Sequence, residues 1–135
     1  MNSEKITLAA KSFIVNDNKL LIIKRSNYTV QKPGIWEIPG GRSNPGEDLI
    51  KGLKRETKEE TNLDIEVLKT LNVRNFTRDD KQRIKLTIFL CKALNKDIKL
   101  SNEHTNFEWI GIEKAKEKLN DFFHEEIDSF MNFSK

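Results

Sequence analysis

Residues 40–63 read Gly-Gly-Arg-Ser-Asn-Pro-Gly-Glu-Asp-Leu-Ile-Lys-Gly-Leu-Lys-Arg-Glu-Thr-Lys-Glu-Glu-Thr-Asn-Leu, a glycine turn running into an amphipathic helix. Asn44-Pro45-Gly46-Glu47 has the composition of a helix start. Asn44 caps, Pro45 takes the first helical position and Glu47 reaches back as a capping-box carboxylate. Leu49, Leu53 and Thr57 step by four and predict a core-facing stripe, widened by Ile50. Gly52 costs about 1 kcal/mol relative to alanine inside a helix, and close backbone packing is the reason expected for it. Glu56, Glu59 and Glu60 fall at i, i+3 and i+4, on one helical face, where like charges repel by about 0.2–0.5 kcal/mol per pair. Within the helix only Lys54, Arg55 and Lys58 are placed to offset that repulsion. A divalent cation would offset it more fully, and Mg²⁺ takes oxygen ligands and works with substrate phosphates. Asn62 stands where the helix must stop, and asparagine tolerates the left-handed conformation of such an end.

Outside this stretch, composition narrows the class. The chain has 135 residues, enough for one domain (1–135) with a real core, and 33% charged with 36% hydrophobic residues reads as globular. A net charge of +3 suits anionic small molecules but shows no basic arm or stripe of the nucleic-acid-binding kind. Cys91 is the only cysteine, so no internal disulfide forms, and its apolar neighbours predict a buried structural thiol. No basic-then-apolar leader and no run of membrane-spanning length is present, so a cytoplasmic protein without membrane contact is expected.

Along the chain, 5–15 reads as a strand, 16–18 as a turn, and Leu20–Ile23 as a central strand forming a hairpin with the first. A polar loop is expected over 26–32, a turn at Pro33-Gly34 and a short strand over 36–39. Residues 64–75 and 83–92 read as strands of one sheet sharing a buried face, with an edge strand over 95–100. Short helices are expected over 112–118 and 121–133, the latter with a core stripe of Phe122, Phe123, Ile127, Phe130 and Phe133. Trp36 is either a core aromatic or a substrate-stacking group. His104 reads as a solvated loop residue in preference to a proton shuttle.

The spacing Gly41, five residues, Glu47, seven residues, Arg55-Glu56, two residues, Glu59-Glu60, one residue, Asn62-Leu63 resembles the Nudix box. Its departures are Thr57, where an aliphatic residue is usual, and Asn62, in place of glycine. The resemblance implies an α/β (α+β) fold, an α/β/α sandwich with a mixed sheet between helices. It also implies hydrolysis of nucleoside diphosphates linked to another group, with Mg²⁺ or Mn²⁺. Glu56, Glu59 and Glu60 are the candidate metal ligands, and the Gly40 carbonyl joins them by resemblance alone. Arg25, at a position where the family often carries a phosphate-facing cation, and Arg42, beside the turn, are candidates for substrate phosphates, since the arginine fork fits them. Arg55 braces the cluster through Glu47 or Glu59. Glu56 is the first candidate for the catalytic base, and Glu103 the second. Glu103 is either a surface carboxylate or, by resemblance, the residue completing the metal site. The expected reaction is attack of metal-activated water on phosphorus of a small nucleotide, such as a nucleoside triphosphate, in a monomer or homodimer. A silent nucleotide-binding regulatory module and an RNA 5′-end hydrolase are the other classes. The intact acidic set argues against the first, and the absence of a basic stripe against the second.

Overall fold

The computed structural model describes residues 5–27 and 33–133; most of the loop expected over 26–32 lies outside them. The described strands are β1 (Ile6–Asn16), β2 (Lys19–Arg25), β3 (Trp36–Glu37), β4 (Gly40–Arg42), β5 (Ile65–Thr77), β6 (Arg83–Ala93) and β7 (His104–Gly111). Helix α1 (Leu49–Thr61) follows β4, and α2 (His124–Phe133) closes the described chain. The strands join in the order β3-β2-β1-β6-β5, with β4 paired to β1 and β7 to β2.

β1 holds this sheet together. Asp17 and Asn18, at φ 51° and 60°, make the tight turn to β2, the positive angles that a two-residue hairpin requires. The hairpin itself is brief, pairing only Val15 with Leu20 and Asn16 with Lys19. β1 then diverges to run parallel with β6 from Ile6↔Arg83 to Ile14↔Cys91, while β2 pairs along its length with β7.

Both sheet faces are covered, so the apolar runs of β1, β2 and β6 divide by alternation. Ala9, Phe13, Leu20, Ile22, Ile84, Leu86 and Ile88 pack with Leu119, Phe123 and Ile127 on the α2 side. Ala10, Ile14, Leu21, Ile23, Phe89 and Cys91 pack with Leu53 and Leu63 on the α1 side. This is the mixed sheet between helices that the resemblance implied. It also corrects the expected shared face of the fifth and sixth strands. Ile65 and Val67 oppose Ala93 and Cys91 on the α1 side, whereas Ile84, Leu86, Ile88 and Leu90 belong to the other.

Four local expectations also change. Helix α1 begins later than Asn44, because Pro45-Gly46 forms a turn and Asp48 caps the helix by accepting from the Lys51 N–H at 3.0 Å. Glu47 does reach the Asn44 N–H at 2.9 Å, but across that turn. Ile50 is exposed on the outer side of α1. Residues 95–100 form no strand, since their backbone bonds to the end of α1, with Lys99 N donating to Thr61 O and Ser101 N to Glu60 O. The C-terminal segment is two helices, because the Asn120 side chain caps a 3₁₀ turn at Asp121–Phe123 before α2 starts.

Two departures in the box have a local explanation. Asn62 ends α1 in the left-handed region at φ 68°, and its side-chain amide also ties down the following loop through Asp97 O at 2.9 Å. Thr57 is fully buried, and its hydroxyl lies 3.0 Å from that of buried Ser12 on β1. A hydroxyl pair therefore stands where two apolar groups would serve. Ser12 also donates to the Pro39 carbonyl at 3.3 Å, so it keeps a partner when Thr57 is changed, whereas removing the Ser12 hydroxyl strands that of Thr57 and removing both is nearly neutral. Ser12→Ala is accordingly expected to cost about 1–2 kcal/mol, and Ser12→Ala with Thr57→Val no more than the single change. Denaturant unfolding of the four proteins measures the coupling, and additive losses would show that the pair contributes nothing.

Candidate active site

The turn between β3 and α1 sets the site against β1. Gly40 pairs with Lys11 and has φ 130°, and a Cβ there would lie 2.3 Å from the Ala10 carbonyl oxygen. Only glycine lets the backbone cross β1 so closely. The Gly40 N–H then donates to Glu60 Oε1 at 2.8 Å, fastening the last turn of α1 to the turn.

The three helix glutamates diverge from one another. Successive helical residues are about 100° apart, so Glu59 and Glu60 flank Glu56 on opposite sides. Glu60 is buried against Gly40, Glu56 lies half-buried beside Gly41, and the Glu59 side chain is 58% exposed. Burial pushes Glu60 up to about 7 despite Lys11 and the Gly40 N–H. Burial likewise raises Glu56, with Arg55 opposing and the charges of Glu59 and Glu103 adding to the rise.

Arg55 holds the acidic residues in register. Its Nε and Nη2 grip both oxygens of Glu47 at 2.8 and 3.0 Å, and Nη1 donates to Glu56 and Glu59 at 3.3 and 3.2 Å. The fork, with the Asn44 N–H, lowers Glu47 to about 2. Gly52 has its reason here, and it is a side chain that fills the space. A Cβ at Gly52 would come within 2.7 Å of Glu47 Oε1, so the missing side chain leaves room for the clamp.

Beside Glu60 lies a second buried centre on Glu37, which accepts from Lys11 Nζ at 3.2 Å and Arg25 Nη1 at 3.1 Å and lies 2.8 Å from His104 Nε2. Burial raises the Glu37 carboxyl, but Lys11, the His104 bond and Arg25 outweigh it and bring it down to about 2. His104 is thus buried at the start of β7, contrary to the solvated loop residue expected, and its buried Nδ1 has no hydrogen-bond partner among the described residues. Sequence reading missed Lys11 and Glu37. The signal was present, as each is a charged residue at an inward position of an otherwise apolar strand.

These groups border one cleft of about 820 Å³. Glu56, Glu60, Glu103, Arg25, Arg42 and Gly40 all line it, and Lys11 joins them. Arg55 and Glu59 stand behind this lining, as the clamp and its outer partner. Trp36 packs against the core, with Lys118 Nζ 4.5 Å from its ring centre and its carbonyl accepting from Asn120, and it does not line the cleft. Cys91 is buried away from it, its thiol pushed up to about 12 by burial.

Strand register gives the cleft a direction. Arg42 pairs with Ala9, Ala9 with Leu86 and Leu86 with Arg74, one row across β4, β1, β6 and β5. Three inter-strand gaps put the two ends of that row about 14 Å apart. Glu56, Glu60, Arg25, Arg42 and Lys11 gather away from β5, while Arg78, Asp79 and Asp80 line the cleft just beyond that strand. At the β5 end Phe76, Phe122 and Phe123 form an aromatic wall, with ring centres 5.4 and 5.1 Å apart. Sequence reading had assigned these phenylalanines to the core or left them unassigned.

Among the described residues, no three acidic, imidazole or thiol groups converge into a ready-made cation cage. Mg²⁺ does not need one, since it is held by one or two carboxylates together with waters and substrate phosphates. Hard oxygen donors that have lost hydration, as Glu56 and Glu60 have, fit such an ion in type.

Known proteins share both pattern and architecture. Residues 5–130 match the NUDIX domain. The chain is 34% identical over 110 residues to the asymmetrical bis(5′-nucleosyl)-tetraphosphatase of Mus musculus, covering 70% of this chain and 74% of that protein. It is 29% identical over 110 residues to the nucleoside triphosphatase NudI of Escherichia coli O81 (strain ED1a), covering 72% and 76%. The crystal structure of a MutT protein from Methanosarcina mazei Go1 superposes with a TM-score of 0.86 at 26% identity, over 100% of this chain and 99% of that one. With the box, the sandwich and these relatives in agreement, the chain belongs to the NUDIX domain family and is a Nudix hydrolase.

Proposed function

We propose that this hydrolase cleaves a pyrophosphate bond of a small nucleotide, a nucleoside triphosphate or dinucleoside polyphosphate, by attack of water on phosphorus. The observation that carries the reading is the layout of the cleft, with Glu56, Glu60, Arg25, Arg42 and Lys11 gathered on one side and the Phe76 and Phe122 rings toward β5, while Arg78, Asp79 and Asp80 lie beyond them at its mouth. A nucleotide has the same layout. Its phosphates go to Arg25, Arg42 and Lys11, and its nucleoside to Phe76 and Phe122.

Glu56, Glu60 and the Gly40 carbonyl, which line the cleft, are the residues that would hold a divalent cation, Mg²⁺ or Mn²⁺, and Glu59 would join them only by turning from its outer position on Arg55. When bound, that ion neutralises phosphate charge and makes water easier to deprotonate. Glu56 accepts the proton from the attacking water, and its raised proton affinity suits it to do so. Glu103, across the cleft, is the second candidate for that step. Arg55 contacts no substrate and keeps Glu56 oriented.

Nucleoside triphosphates, nucleotide sugars and dinucleoside polyphosphates, each assayed with Mg²⁺ in ¹⁸O-water, test this directly. Turnover of at least one nucleotide class, with label on a phosphate product, is expected. Undiminished activity in excess chelator, or label only on the organic product, would reject it.

A further inference from the structure

The buried groups that the chemistry leaves unused lie behind the aromatic wall. From register position 72 onward, alternate residues of β5 face α2, namely Asn72, Arg74 and Phe76, opposite Ile88, Leu86 and Ile84. Phe76 belongs to the cleft, while the other two hold α2. Glu126, in the first turn of α2, is fully buried, and its carboxylate accepts from Asn72 Nδ2 at 2.7 Å and from Arg74 Nη1 at 3.2 Å. Arg74 does more than pair with it. Its Nη1 also donates to the Phe122 carbonyl, its Nε lies 3.3 Å from Glu125, and its guanidinium sits 4.0 Å from the centre of the Phe122 ring. Phe122 lies in the 3₁₀ turn between Asn120 and α2. One arginine thus fixes both the backbone and the ring of a residue in the cleft wall.

A buried carboxylate is an expensive way to fasten a helix, since an apolar contact of similar volume does as well or better. What an ion pair adds is a defined direction. An arginine fork fixes planar geometry in a way that aliphatic packing does not.

We propose that Arg74 and Glu126 are positioning residues for substrate, which set the aromatic wall against which the nucleoside lies. The proposal rests on the reading above that the nucleoside occupies the β5 end. Neither residue lines the cleft, and Arg42, the cation in the same strand row as Arg74, lies about 14 Å from it. Loosening the pair moves Phe122 and leaves Arg25, Arg42 and Glu56 in place. Affinity for the nucleoside part falls, and the chemical step for bound substrate is unchanged.

Glu126→Gln and Arg74→Lys keep the size of each group and remove, respectively, the charge and the fork. The full chain carrying either change is assayed for inhibition by a nucleoside monophosphate and by inorganic pyrophosphate, with Phe122→Leu as a control for the wall itself. Nucleoside monophosphate inhibition weakened about fivefold or more, with pyrophosphate inhibition and kcat within about twofold, is the expected result for both variants. A purely structural role would instead lower the folded fraction and leave both inhibition constants alone. If Phe122→Leu weakens the monophosphate and neither variant does, the pair does not position the wall and the proposal fails alone. If Phe122→Leu also changes nothing, the nucleoside does not lie there, and the reading of the β5 end falls with the proposal. Equal weakening toward both inhibitors overturns it too. Should one variant not fold, the other decides.

Discussion

Glu60→Gln is expected to turn substrate over at least about a hundredfold more slowly than wild type, yet to be the more stable protein at neutral pH, because removing an electrostatic group that acts on the reacting phosphate costs on that order. The two effects share one cause. Glu60 is held in a buried position against the Gly40 N–H, and burial raises its carboxyl from 4.5 to about 7. A raised carboxyl means that the folded state binds a proton more tightly than the unfolded chain. Its charge therefore subtracts stability as pH rises from about 4.5 to about 7, by up to about 3 kcal/mol at the upper end. Glutamine keeps the acceptor for Gly40 and has no charge to desolvate. Chemical unfolding of both proteins in chelator, without substrate, should show the wild type losing more stability across that window than the variant, which keeps only the smaller dependence of the other raised carboxyls such as Glu56. Turnover within tenfold of wild type would remove Glu60 from the functional set. A parallel pH dependence in the two proteins would remove the burial argument.

Glu37→Gln is expected to have the largest effect on stability. Glu37 is the common partner of Lys11, Arg25 and His104, none of them more than about a fifth exposed. Removing the carboxylate from a buried charged cluster takes away the counter-charge that Lys11 and Arg25 share and leaves them desolvated, a loss of about 3 kcal/mol. For a domain of this length that lowers Tm by roughly 10 °C. The direction with pH is opposite to that of Glu60. A carboxyl lowered to about 2 contributes its full stability above 4.5 and loses it as pH falls toward 2. The variant should be less stable than wild type at pH 7 and approach it near pH 2. Arg25 and Lys11 also lose their anchor, so turnover should fall with stability. A variant with unchanged Tm at pH 7 would show that Lys11, Arg25 and His104 do not depend on Glu37.

The box was legible because its fixed residues interact over short sequence distances. Glu47, Arg55, Glu56 and Glu59 meet within a helix and the turn before it, and spacing alone places them. The sandwich was legible only through the box, whose resemblance implies it; the unbroken apolar run of β2 by itself marks no more than a central strand. What could not be read depends on contacts between distant strands. His104 looked like a loop residue because its partner, Glu37, is 67 residues away. Residues 95–100 have a strand-like composition, but the backbone groups at the end of α1 capture them first. The aromatic wall was hidden for a related reason. Phenylalanines at helical spacing read as core, and only the break at Asn120 turns Phe122 toward the cleft.

The parallel pairing of β1 with β6 also governs how the molecule comes into being. Ile6 meets Arg83, and every rung of that ladder closes a segment of comparable length. Contacts so remote in sequence form slowly, since much chain entropy is lost before they add stability. On a ribosome adding about 5–20 residues per second, β1 waits roughly 4–15 s for its partner strand to be made. Through that interval β1 has only β4 and the short hairpin to β2 beside it, and the Gly40 crossing rests on a strand held from one side. The floor of the cleft is thus among the last parts to assemble. A nascent chain that already contains the whole box helix still lacks a working site, and its first strand has an unpaired apolar edge open to chaperones or to a neighbouring chain.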